Sequence, residues 1–192
     1  MLVCNINTTF ARGLYPTDED GLVQFITKFP GHYTGRTTHI HLLTSHGGRV
    51  LENNTYVGGG AASVGQIFFD QDLVTEVEKT GVYPTNTQPL LTNVEDSIFA
   101  QEAETGFDPV VKYVYLGDSV EDGIFSWISI GIDASISKDV GAVAKLTANG
   151  GVETGFIWRP DPPAGSNQVG MPTRVPVTTT PTATSAPSSS CA

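Results

Sequence analysis

The sequence is short of positive charge, of sulfur and of long apolar runs. Ten Lys and Arg residues stand against 20 Asp and Glu, giving a formal net charge of −10 and a pI near 4.6. Such a chain repels phosphate backbones and anionic lipid surfaces, which excludes nucleic acid as an expected partner. No apolar run approaches the ~20 residues needed to span a bilayer, and Met1 to Gly13 carries no stretch of the kind that marks a signal peptide. The two cysteines, Cys4 and Cys191, lie at opposite ends. A bridge between them would close nearly the whole chain, so the expectation is that they are unpaired or partnered elsewhere. With 192 residues and 39% hydrophobic content, the sequence fits one globular domain and one core.

Composition changes after Trp158. From Pro160, and most strongly over residues 172–190, Ser, Thr and Pro dominate and little apolar surface remains. Such a segment cannot offset its ordering entropy, so residues 1–159 read as a domain and 160–192 as a disordered tail or O-glycosylated stalk. Two glycosylation sequons, Asn7-Thr8-Thr9 and Asn53-Asn54-Thr55, the acidic balance and the tail composition point to a secreted, extracellular parent protein. Within the domain, short runs punctuated by Gly, Pro and Asn predict strands over residues 22–27, 38–44, 65–69, 110–116, 124–132, 142–147 and 155–158. Two helices are expected, over 70–79 and 93–103. The second opens on a capping box, Thr92-Asn93-Val94-Glu95, with Val94, Ile98 and Phe99 as its buried face. The class is all-β, a β-sandwich with two short helices. No pattern sets an oligomeric state.

The residues with chemistry to offer are concentrated in Pro30-Gly31-His32-Tyr33-Thr34-Gly35-Arg36-Thr37-Thr38-His39-Ile40-His41. Side chains alternate across a strand, so His39 and His41 project to one face and Ile40 and Leu42 to the other. The Pro30-Gly31 turn and Gly35 let the chain fold back and bring the Tyr33 phenol towards the two imidazoles. A phenolate is a hard anionic donor, and with two imidazoles it favours ferric iron over zinc or ferrous iron. Arg36 adds a permanent cation suited to an anionic substrate. Taken singly, each residue has a plainer reading: a solvated histidine pair, a core tyrosine. A cupin-type site also uses His-x-His, but no carboxylate follows, and His46 beside Gly47-Gly48 reads as a turn residue, as His32 reads as loop.

The combined string resembles the signature of the intradiol ring-cleavage dioxygenases, most strongly their secreted fungal branch. The resemblance extends through Arg12-Gly13, Pro16-Thr17-Asp18-Glu19-Asp20-Gly21, Gly65-Gln66-Ile67-Phe68-Phe69-Asp70-Gln71-Asp72-Leu73 and Thr92-Asn93-Val94-Glu95-Asp96-Ser97-Ile98-Phe99. It implies a mixed β-sandwich around non-haem Fe(III), with Tyr33 and His41 as axial ligands, His39 as an equatorial ligand, and Arg36 and Gln66 beside the substrate. The implied reaction opens a catechol or hydroxyquinol ring with O2 to give a muconate-type dicarboxylic acid, with no organic cofactor. The family's fourth ligand is an equatorial tyrosine upstream of the Arg-Gly that Arg12-Gly13 matches, and these 192 residues contain no match to that segment. Ser63 also stands where the fungal branch tends to carry a histidine. An N-terminally truncated member that is poorly active or inactive as a dioxygenase is therefore the expectation; the alternative is a catalytically inactive β-sandwich binding or surface protein whose histidine pair is empty or holds zinc.

Overall fold

Apolar and polar residues alternate from His39 onward, and that stretch forms a long antiparallel ribbon of β1 (His39–Val50) and β2 (Tyr56–Phe68). The structure is a computed structural model and describes residues 7–155 apart from 53, 105, 143 and 148. In the ribbon His39 lies opposite Phe68, His41 opposite Gln66 and Leu43 opposite Val64, so these six share one face. Ile40 and Ile67 share the other and turn towards the core. Both strands outrun their expected lengths because Gly47-Gly48 extend β1 instead of turning it. Gly59 has φ +77°, and a Cβ there would lie 2.5 Å from the His46 carbonyl oxygen, so only glycine allows the far end of the ribbon to close this tightly.

After β2 the chain turns at Asp70, whose Oδ1 accepts from the Asp72 and Leu73 N–H groups and starts α1 (Gln71–Val77). Leu73, Val74 and Val77 point inward and form the core with Phe69 and Val111. Burying side chains of this size contributes ~1.5–3 kcal/mol each. A second antiparallel ribbon, β3 (Lys112–Tyr115) with β4 (Ile124–Trp127), lays Tyr113 and Ile124 on the same core. It is tied to the first by a short parallel bridge, in which Phe68 N–H donates to Pro109 O and Val111 N–H to Phe68 O, each at 2.9 Å. The core thus sits between the inner faces of two ribbons, with α1 closing it.

The helix expected over 93–103 divides. Glu95 accepts from the Thr92 N–H and hydroxyl at 3.0 and 2.6 Å, but the turn it caps spans only Asn93–Glu95. Asp96 is extended, at φ −84° and ψ 114°, and its side chain opens a separate helix, α2 (Ser97–Glu104). Val94 belongs to the short turn and is 91% exposed, so it is not part of a buried face.

These elements lie in a compact unit of residues 24–140; among the described residues a second unit combines 7–23 with 141–155. In that second unit β5 (Ala144–Thr147) and β6 (Gly150–Glu153) form a hairpin, and Asn7 Oδ1 accepts from Gly151 N–H at 2.7 Å. The strand expected over 22–27 does not form. Leu22 is held in a turn by Asp18, whose Oδ1 accepts its N–H, and Ile26 is 96% exposed, so the alternating pattern there finds no partner strand. The strands expected over 110–116, 124–132 and 142–147 are present but shorter. Residues 156–158 of the last expected strand, the tail from 160 and both cysteines lie outside the described residues. The described fold is all-β with two short helices, and none of its helices is long and apolar enough to cross a membrane.

Candidate metal centre

The site grows from the first residues of β1. His39 and His41 sit two residues apart on one face, with ring centroids 4.9 Å apart and Nε2 atoms 3.3 Å apart. The chain before β1 reverses at Tyr33–Arg36, where Arg36 N–H donates to Tyr33 O and Gly35 takes φ +82°. This turn carries the Tyr33 hydroxyl to 3.4 Å from His39 Nε2. Tyr33 and His41 thus both stand beside His39 Nε2. His39 is buried, while Tyr33 is 47% exposed and His41 reaches solvent, so the cluster opens outward.

The protonation pattern suits a metal. His39 Nδ1 lies 2.7 Å from the Thr37 carbonyl oxygen, which can only accept, so Nδ1 carries the proton and the Nε2 lone pair faces Tyr33 and His41. Burial lowers the pKa of His39; the Thr37 carbonyl opposes that, and the charges of Arg36 and His41 add to it. Loss of surrounding water and the Arg36 charge lower His41 as well, so both rings are kept neutral, the form that binds metal. Two donors each about 2.1 Å from one ion, at the roughly 90–110° angles of octahedral or tetrahedral coordination, lie about 3.0–3.4 Å apart. The spacings of His39 Nε2 to His41 and to Tyr33 fit that requirement. No cluster of three or more His, Cys, Asp or Glu side chains able to hold a metal occurs among the described residues, so the phenol is needed to complete a three-donor set.

Arg36 and Gln66 stand beside this cluster. Arg36 Nη2 donates to Gln66 Oε1 at 2.5 Å, and Gln66 lies directly across the ribbon from His41. Arg36 Nε donates at 2.8 Å to Asp96 Oδ2, whose carboxylate is almost wholly buried. Burial alone would raise the Asp96 pKa, but the Arg36 guanidinium and the Thr37 and Phe99 N–H groups together hold it below the usual carboxylate range. Arg36 is thus built into the fold as well as facing the site.

The other sequence candidates fall outside the cluster. His32 is buried and structural: Nδ1 pairs with Glu78 at 2.7 Å and Nε2 with the Gln88 carbonyl oxygen at 2.8 Å, pinning the turn to the end of α1. His46 lies within β1 and not in a turn, with Nε2 2.8 Å from Ile136 O. Ser63 lies opposite Thr44 and lines a cleft of about 250 Å³ along β2, to which Gln66 also contributes. Asp96 and Thr37 are the residues that sequence reasoning missed. An Asp directly before Ser97-Ile98-Phe99 is a helix N-cap signal that could have found the first. Thr37 acts through its backbone carbonyl, which no side-chain motif records.

No family model matches the sequence, and no curated protein matches it. Among solved structures, the chain is similar to an intradiol ring-cleavage dioxygenase from Tetranychus urticae, at 27% identity and a TM-score of 0.49. The match covers 64% of this chain and 53% of that one, so the chain spans about half the length of that protein.

Proposed function

We propose that this chain carries an intradiol ring-cleavage site, in which Tyr33, His39 and His41 hold one non-haem ferric ion and Arg36 and Gln66 attend an aromatic diol. The observation that carries the reading is that the Tyr33 hydroxyl and His41 Nε2 stand 3.4 and 3.3 Å from His39 Nε2, whose lone pair faces them both. A phenolate donor selects ferric iron over zinc. When bound, a ferric ion held by Tyr33, His39 and His41 would supply the activation that makes an aromatic diolate reactive towards O2. The protein's own groups do the rest. Tyr33, half exposed, has room to move aside for the incoming diol and to take one of its protons on Oη. Arg36 keeps Nη1 clear of partners among the described residues and offers a fixed positive charge to the diolate. Gln66 holds Arg36 in plane.

The net reaction breaks the bond between the two hydroxylated carbons and places both oxygen atoms of O2 in a muconate-type dicarboxylic acid. Catechol and hydroxyquinol are the proposed substrates. A single phenolate donates less charge to ferric iron than two would, so these residues alone should bind iron weakly and turn over slowly. The test is to load residues 1–192 with ferric iron and supply catechol, hydroxyquinol or protocatechuate with ¹⁸O2. Slow loss of aromatic absorbance with two labelled atoms in a ring-opened diacid is the expected result. Ferric binding without any labelled product, or uptake of zinc alone, would contradict the reading and leave a non-catalytic β-sandwich.

A further inference from the structure

Resting on the ferric-site reading, we propose that Asp96 is a positioning residue of this site, aligning Arg36 on one side and, through Thr37, His39 on the other. Its two oxygens divide their work. Oδ2 accepts from Arg36 Nε and from Thr37 N–H, both at 2.8 Å. Oδ1 accepts from Ile98 and Phe99 N–H at 2.9 and 3.1 Å and starts α2. The carboxylate therefore ties the helix to the residues that flank the metal cluster.

Both branches end at functional atoms. On the first, Nε is held by Asp96 and Nη2 by Gln66, which fixes the guanidinium plane along two edges and leaves the remaining edge for an anionic substrate. On the second, Asp96 accepts from the Thr37 N–H, and the carbonyl of the same residue, in the next peptide unit along, fixes the His39 tautomer. The Thr37 hydroxyl donates to Asn93 Oδ1 at 2.7 Å, and Asn93 Nδ2 in turn donates to Phe69 O, so Thr37 is held at its backbone N–H and at its side chain. Outer partners of this kind set ligand orientation without touching the metal.

A helix cap alone would give Asp96 the same burial, and Asp96→Ser separates the two roles. Serine is a good N-cap and keeps a bond to the start of α2, but it is too short to reach Arg36 Nε. In the metal-free wild-type protein, NMR should show an Arg36 Nε–H protected from exchange and His39 in a single Nδ1–H tautomer. In D96S, with helix content preserved by circular dichroism, protection of that Nε–H should be lost and the His39 nitrogen shifts should move towards a tautomer mixture. In the iron-loaded D96S protein, ferric affinity should fall about tenfold and kcat/KM for catechol about 10–100-fold. A folded D96S with wild-type His39 shifts and wild-type iron affinity overturns the proposal. Should D96S fail to fold, the wild-type spectrum decides, because an unprotected Arg36 Nε–H overturns it and a protected one upholds it. Should the wild-type protein bind no ferric iron, the ring-cleavage reading falls while the metal-free spectra still judge the alignment by Asp96.

Discussion

At the residue scale, Arg36 shows how one side chain can serve both fold and site. From the sequence it reads as a cation for substrate, yet its Nε is paired with a carboxylate that is 1% exposed. Arg36→Ala should therefore destabilise the protein by about 3 kcal/mol, since removing one partner leaves a buried charge uncompensated, a loss measurable by urea unfolding. Asp96 predicts a pH dependence of definite sign. Its folded pKa is depressed, so its stabilising contribution is complete above the unfolded carboxylate value of about 3.9 and is lost as pH falls through the lower folded value. Unfolding free energy measured from pH 6 downward should decline on the acid side in the wild type. The decline should be shallower in Asp96→Asn, which has no proton to gain.

At the element scale, the legible parts were those whose chemistry is local. The alternation His39-Ile40-His41-Leu42 places two imidazoles on one face whatever the rest of the chain does, and Asp70 before Gln71 announces α1. What the sequence could not reveal depended on partners far along the chain. Residues 22–27 alternate as well as many strands do but meet no partner, and Gly47-Gly48, which look like a turn, continue β1 because Gly58 and Val57 lie opposite Gly48 and Arg49. The tight far end of the ribbon predicts that Gly59→Ala costs about 1–3 kcal/mol, combining a positive φ with a clash against the His46 carbonyl. A thermal unfolding curve displaced to lower temperature, with iron binding retained at the other end of the ribbon, is the expected result. At the near end, His32→Ala should cost about 1–3 kcal/mol by leaving Glu78 and the Gln88 carbonyl without their partner.

At the scale of the whole molecule, an all-β architecture with two short helices followed from the spacing of turn residues, and one string of twelve residues contained every metal-ligand candidate. Asp96, 55 positions beyond His41 in the chain, is brought to the site only by the fold, which sets it beside Arg36 and Thr37 just before β1. A ferric site here requires Tyr33 as a ligand to iron, because the phenol separates such a site from an ordinary histidine pair. Titrating the metal-free protein with ferric iron and recording its visible spectrum tests this most directly. A tyrosinate-to-ferric charge-transfer band that colours the wild-type protein burgundy, is absent from Tyr33→Phe and does not form with zinc is the predicted result. A wild-type protein that stays colourless with iron bound, or a Tyr33→Phe variant with an unchanged band, would contradict it.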